Sequence, residues 1–371
     1  NDPPETMDVR FADGTRLKVP WGEIALPGLG EDATISMNYD GAARVFHVSG
    51  QCERRFVSLM DNIMEKTQDF LDNESIYRGK AIRLGKDLRP QFLNLDKVAN
   101  TPMYLSDATE FALQPIISRI EQSQRCLDQG LELKFGAVME GDYGTGKTLL
   151  AFKLAHKAIK NDWGFIYLTD PTKVSEMLEI AGNLCTNGVG MLTFVEDIDQ
   201  VLRGERNHKM NEILNIIDGG DTKGRNIISI FTTNHLELID PTFLRGKRIG
   251  SLISMTALDQ PTALKFINSY LGDALSDDAS EAAIMVSDMN IVPAFLAEIL
   301  DRVKANMVYT SEDTASCKDI LASIGSYKAQ MELAKTSAHK SSDEEDFVNL
   351  YKKLIVENQF KDTLKSLDLV A

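Results

Sequence analysis

A chain of 371 residues with 40 basic against 55 acidic side chains carries a net charge of −15, which disfavours a protein whose main job is coating nucleic acid, since that needs a basic face, without excluding a local basic patch. With 43% hydrophobic and 26% charged residues and no apolar run near the roughly eighteen residues of a membrane span, it reads as globular material for two or three domains. Cys52, Cys126, Cys185 and Cys317 form no CxxC or Cys/His cluster and no charged-then-apolar leader opens the chain, which argues against structural zinc and disulfides and predicts a cytoplasmic protein.

Residues 33–48, "ATISMNYDGAARVFHV", alternate as two strands around Asp40-Gly41. A helix follows, with Phe56, Leu59, Met60, Ile63, Phe70 and Leu71 at helical spacing. Strand, strand and helix predict a small α+β domain over residues 1–88, either a structural cap or an adaptor that recognises a substrate protein.

Residues 89–258 change pattern. A helical segment opens at Ser106, where only half of a capping box is present. Short apolar runs then alternate with helices: "FGAVMEG", "TLLAFKLAHKAI", "GFIYLTD", "KVSEMLEIAG", "MLTFVED", "MNEILNIID" and "NIISIFTTN". Apolar strands separated by helices predict an α/β core, a parallel sheet covered on both faces. Residues 259–335 read as helices only and predict a small all-α subdomain. Residues 336–346, "TSAHKSSDEED", read as a linker, and 347–371 as a last amphipathic helix that packs on its own chain or on a neighbour.

The strongest chemical signal is "GDYGTGKT", a complete G-x-x-x-x-G-K-[ST] phosphate loop between a strand and a helix. Gly141, Asp142, Tyr143, Gly144, Thr145, Gly146, Lys147, Thr148 and Leu149 would wrap the phosphates of ATP. The glycines let backbone N–H groups turn inward, and the helix N-terminus adds positive potential. Lys147 would reach the β- and γ-phosphates, and the Thr148 hydroxyl would ligate Mg²⁺.

Such a loop needs a later strand that delivers a carboxylate to the metal. "MLTFVED" is the candidate, with Glu196 facing Mg²⁺ and Asp197 polarising the attacking water. The commoner order in nucleotide hydrolases is Asp then Glu. Charge and reach are the physical requirements, so exchanging the two acids is compatible with function. The next strand ends at Asn234, whose amide would hold the water from the other side. Arg245 and Arg248 follow in "IDPTFLRGKR", either as partners of surface acids or as arginine fingers.

Together "GDYGTGKT", "VEDIDQVL", "FTTNH" and "DPTFLRGKR" resemble the AAA+ ATPase family, its classical AAA clade, over roughly residues 90–310. The Glu-Asp order and the Thr-Thr-Asn-His run look most like the branch that contains the mitochondrial translocase of folded Rieske proteins. The resemblance implies that Lys147 and Thr148 are the Walker A residues, Glu196 and Asp197 the Walker B acids and Asn234 sensor 1. It implies that Arg245 and Arg248 are fingers acting in trans on ATP of the adjacent subunit. That in turn implies a homo-oligomeric ring, usually a hexamer, with the helical subdomain as a lid.

Three features depart from the family. The finger loop reads Arg245-Gly246-Lys247-Arg248 rather than RPGR. "YLTDPTKVSEM" lacks the aromatic-hydrophobic-glycine pore motif, Tyr167 reading as a strand residue, and the transmembrane segment of the translocase is absent. The leading expectation is an Mg-ATP-driven machine that remodels or moves a protein partner recruited by the N-terminal domain. A DNA-replication or clamp-loading ATPase is the second reading, kept by the basic runs Arg203–Lys209 and Lys223–Arg225, and a nucleotide-gated scaffold with little turnover is the third.

Overall fold

The computed structural model describes residues 6–10, 16–20, 22–40, 45–74, 77, 79–88, 90–185, 189–203, 208–218, 225–245 and 248–338. The chain divides into two compact units, Asn1–Arg78 and Gly79–Ala371.

In the first unit β1 (Thr6–Arg10) and β2 (Arg16–Pro20) pair antiparallel. A second sheet runs β3 (Gly22–Ala25), β4 (Thr34–Asp40), β5 (Val45–Gln51), also antiparallel. The expected hairpin is β4–β5, paired from Thr34 with Gln51 to Asp40 with Val45; its turn at 41–44 lies outside the described residues. Helix α1 (Val57–Glu74) buries Met60 beside Leu29 and Ala33, with Phe56 and Ile63 packed against them. Leu59, expected on the same face, is half exposed instead.

The second unit begins earlier than residue 88. β6 (Ala81–Leu84) runs parallel to a strand of the seven-stranded sheet, and β7 (Pro90–Phe92) folds back on it antiparallel. Four and three residues are too few to show a period, and the burial of β6 arises only from the sheet it joins. After α2 (Asp96–Ala99), α3 (Asp107–Glu121) and α4 (Ser123–Asp128), the pattern alternates. The elements are β8 (Phe135–Glu140), α5 (Lys147–Lys160), β9 (Gly164–Leu168), α6 (Val174–Leu184) and β10 (Met191–Val195). They continue with α7 (Asp199–Leu202), α8 (His208–Asp218), β11 (Ile227–Thr233) and β12 (Ser251–Ser254). Ser106 caps α3 by accepting the Thr109 N–H at 3.3 Å.

The sheet order is β12-β8-β11-β10-β9-β6-β7, parallel throughout except for β7. β9, β10 and β11 are buried at every residue, as the helices on both faces demand. β11 lies between β8 and β10, so the loop after β8 faces the carboxyl ends of the two strands that carry the acids and the asparagine. Ligands of open α/β sheets bind at such a place. β12 escaped the strand pattern because it is a four-residue edge strand with serine at both ends.

Helices α9 (Gln260–Leu271), α10 (Ser280–Asp288), α11 (Pro293–Thr310) and α12 (Cys317–Ala338) form the all-α part, with its own core of Ile267, Val286, Leu296, Ile299 and Ile320. Helix α12 continues through 336–338, the first three residues of the expected linker; the rest of the linker and the 347–371 helix lie outside the described residues. Most of the basic runs 203–209 and 223–225 lie there too, as do Gly246 and Lys247. Among the described residues no helix is long and apolar enough to cross a membrane.

Candidate functional site

The phosphate loop spans the step from β8 to α5. Gly141 sits at φ +150°, where a side chain would be strained, and a Cβ there would stand 2.1 Å from the Met255 carbonyl oxygen. Glycine thus lets the loop pass against the segment after β12. Gly146, in the left-handed region, precedes the first turn of α5, so Lys147 and Thr148 start the helix with backbone N–H groups unsatisfied by it.

Lys147 Nζ donates to the Gly141 carbonyl at 2.6 Å, the Asp142 carbonyl at 3.0 Å and Asn234 Oδ1 at 2.7 Å. Burial lowers its pKa to about 8, opposed by the nearby charges of Asp197, Asp142, Glu196 and Glu140. Four carboxylates around one ammonium leave the local field negative. Such a field favours the metal complex of a polyphosphate over the free anion.

Glu196, just past the end of β10, accepts hydrogen bonds on both carboxylate oxygens. Thr148 Oγ1 donates to Oε1 at 2.5 Å and the Tyr167 hydroxyl to Oε2 at 2.7 Å. Burial lifts the Glu196 carboxyl above the usual range, and the two hydroxyl donors work against that lift. Tyr167 is the strand residue the sequence predicted, 3% exposed in β9, and burial beside Glu196 keeps its phenol protonated far above neutral pH.

Asp197 takes the left-handed conformation, φ +50°, uncommon for a non-glycine residue. Its backbone N–H donates to Thr232 Oγ1 at 3.1 Å, and its Oδ1 accepts from Asn234 Nδ2 at 3.3 Å. The turn therefore sends adjacent acids to different partners, Glu196 to the threonine of the phosphate loop and Asp197 to the asparagine. Asp199, buried, accepts the Thr233 hydroxyl at 2.8 Å and anchors the same turn to β11.

Arg245 and Arg248 belong to the loop before β12. Arg245 is exposed, and Arg248 Nη1 donates to the Thr242 carbonyl at 2.7 Å. The structure thus gathers Lys147, Thr148, Glu196, Asp197 and Asn234 into one network and leaves the arginines on a loop beside it. Tyr167, Thr232 and Asp199 complete the network and were missed by sequence reasoning. The one trace in the sequence is a pair of threonines ending a mostly apolar strand.

Beside the loop a cleft opens between Tyr104, Thr109, Thr145, Met255 and Pro293. Its walls come from the segment before α3, the phosphate loop, the stretch after β12 and the starts of α9 and α11. The all-α part also touches the loop directly, since the Ala294 N–H in the first turn of α11 donates to the Gly144 carbonyl at 3.1 Å.

The residues present fit Mg²⁺ with a nucleotide. Thr148 and Glu196 present hard oxygens side by side, the donor type magnesium takes. Among the described residues no group of three or more His, Cys, Asp or Glu side chains is placed to hold a metal. Magnesium that arrives with phosphates needs no such cage, because phosphate oxygens and waters fill most of its shell.

Residues 137–257 match the family described as "ATPase family associated with various cellular activities (AAA)". That stretch holds every residue of the network. The module belongs to the AAA ATPase family. The chain carrying this AAA module is 30% identical over 181 residues to a 26S proteasome regulatory subunit 4 homolog of Oryza sativa subsp. japonica, covering 43% of this chain and 39% of that protein. It is 27% identical over 208 residues to an ATP-dependent zinc metalloprotease FtsH of Cutibacterium acnes, covering 51% and 28%. It is 26% identical over 181 residues to a Bifidobacterium animalis subsp. lactis protein named "AAA ATPase forming ring-shaped complexes", covering 42% and 34%. The similarity thus spans well under half the length of these relatives.

Proposed function

We propose that the protein hydrolyses Mg-ATP within a ring of identical subunits and uses the cycle to remodel or move a protein partner. The observation that carries the reading is the linked pair of contacts Thr148–Glu196 and Lys147–Asn234–Asp197. It supports a metal-side role for Thr148 and Glu196 and a water-side role for Asp197 and Asn234.

In this reading residues 141–149 bind the ATP phosphates, with Lys147 countering their charge. Thr148 and Glu196 hold Mg²⁺, which when bound neutralises charge on the phosphate oxygens. Asp197 and Asn234 place the attacking water, Asp197 accepting its proton density and Asn234 fixing its position. Arg245 and Arg248 serve the site of the next subunit, which accounts for an exposed Arg245 on a separate loop. The Ala294–Gly144 bond gives the lid a direct contact with the loop that changes occupancy through the cycle. Ring assembly is supported by the name of the Bifidobacterium relative; a hexamer is the expected form.

Recruitment of the partner falls to the first unit, residues 1–78, and a folded partner suits a chain whose 170–176 segment is a compact turn running into α6. Placement beside the Rieske-translocase branch rests on the Glu-Asp order and the Thr-Thr-Asn-His run. A cytoplasmic setting suits four free cysteines. The test is ATPase activity per subunit against protein concentration, for the native chain and Arg248→Ala. Activity should climb as subunits associate and collapse in the variant. A flat profile that the substitution leaves unchanged would refute the trans arrangement.

A further inference from the structure

We propose that Tyr167 is a positioning residue that enables a glutamate to serve on the metal side of this site; the proposal rests on the reading of Glu196 given above. Glutamate differs from aspartate at this place by one methylene. The extra torsion lets the carboxylate swing away from Thr148, and the last torsion of a glutamate is broad. Holding it still costs side-chain entropy unless both oxygens are engaged.

The structure engages both. Thr148 takes Oε1, and Tyr167 takes Oε2 from the opposite side. Tyr167 lies opposite Phe194 in the β9–β10 ladder, two residues before Glu196, and the length of a phenol spans that step. Its ring is fixed edge-on to Phe152, 5.4 Å between centroids, and tilted on Phe194 at 5.8 Å. The hydroxyl is therefore a stationary donor, and the carboxylate it holds has its other oxygen aimed at the phosphate loop. Groups that orient a metal ligand in this way typically change metal affinity by about 10–100-fold when removed. A phenylalanine at 167 would keep the packing and lose the bond. An aspartate at 196 would be too short to use the phenol.

The experiment measures the affinity of the full chain for a fluorescent, non-hydrolysable ATP analogue across a Mg²⁺ titration. It uses the native protein, Tyr167→Phe, Glu196→Asp, the double variant and Glu196→Gln. Tyr167→Phe should raise the half-saturating Mg²⁺ concentration about tenfold while leaving the Mg²⁺-free affinity unchanged, since Lys147 and the loop amides remain. In the Glu196→Asp background the same substitution should add nothing. The proposal is overturned if Tyr167→Phe titrates like the native protein, or if its effect is equally large beside Asp at 196. It is also overturned if the Mg²⁺-free affinity falls in step, which marks Tyr167 as packing only. A Glu196→Gln protein that titrates like the native would instead overturn the assignment of Glu196 itself.

Discussion

Asn234 Oδ1 accepts the Lys147 ammonium at 2.7 Å, while the amide nitrogen of the same side chain donates to Asp197 at 3.3 Å. One planar group thus ties the cation of the phosphate loop to Asp197. Asn234→Ala removes both bonds and leaves the loop glycines and Thr148 in place. Turnover is expected to fall about 10²–10³-fold with nucleotide affinity within a few-fold of native, as read from steady-state kinetics and analogue binding. Lost affinity with unchanged turnover would assign Asn234 to binding alone.

The adjacent acids should fail differently. Asp197→Asn keeps an acceptor for Asn234 but removes the charge that draws the proton, so hydrolysis should drop roughly 10²–10⁴-fold with Mg-nucleotide binding retained. Glu196→Gln should weaken the Mg²⁺-dependent part of binding first. Single-turnover hydrolysis beside Mg²⁺ titrations separates the two, and the reverse pattern would exchange their roles.

Lys147 gives a pH dependence with a definite sign. Its folded pKa is lowered from 10.5 to about 8. Between those values the unfolded chain holds a proton that the native chain has released, so this group's contribution to stability rises with pH across that window. Nucleotide affinity should move the other way and weaken above about pH 8 as the ammonium empties. Phosphates favour the charged form, so binding near pH 8 should take up protons. Calorimetry in buffers of differing ionisation enthalpy reads that uptake directly; none would contradict the depressed value.

Gly136 lies in β8 where the arginine loop passes. A Cβ there would stand 2.0 Å from the Arg248 carbonyl oxygen, a backbone atom that cannot swing aside. Gly136→Ala is expected to cost about 1–3 kcal/mol and to displace the Arg248 segment. A lowered Tm should accompany a larger loss in concentration-dependent ATPase activity than in nucleotide affinity. A native Tm would show that the loop accommodates a methyl group freely.

Strands β8 to β11 could be read because each is an apolar run bounded by polar turns, and a parallel sheet buries both faces. β6, β7 and β12 could not, because three or four residues carry no period that distinguishes them from loop. The boundary expected at residue 88 rather than after Arg78 follows from the same blindness, since β6 declares itself only by pairing with β9. Lys147, Thr148, Glu196, Asp197 and Asn234 were visible because the residue types a phosphate site needs sit at strand ends in a recognisable order. Tyr167 was visible only as an apolar strand residue; its hydroxyl acquires meaning from the neighbouring strand.

By itself the sequence determined the phosphate loop, the two acids, the asparagine and the α/β alternation that carries them. These are properties of residue type and spacing along the chain, and local physics suffices to read them. Tertiary structure alone decided which groups touch. Thr148 and Glu196 are 48 residues apart, and Lys147 and Asn234 are 87 apart. Insertion of β11 between β8 and β10 is what brings those strand ends to one loop. The partition of the acids depends on a left-handed turn at Asp197, and the hold on Glu196 on a phenol from β9. Both arise from packing between strands, which spacing along the chain does not encode.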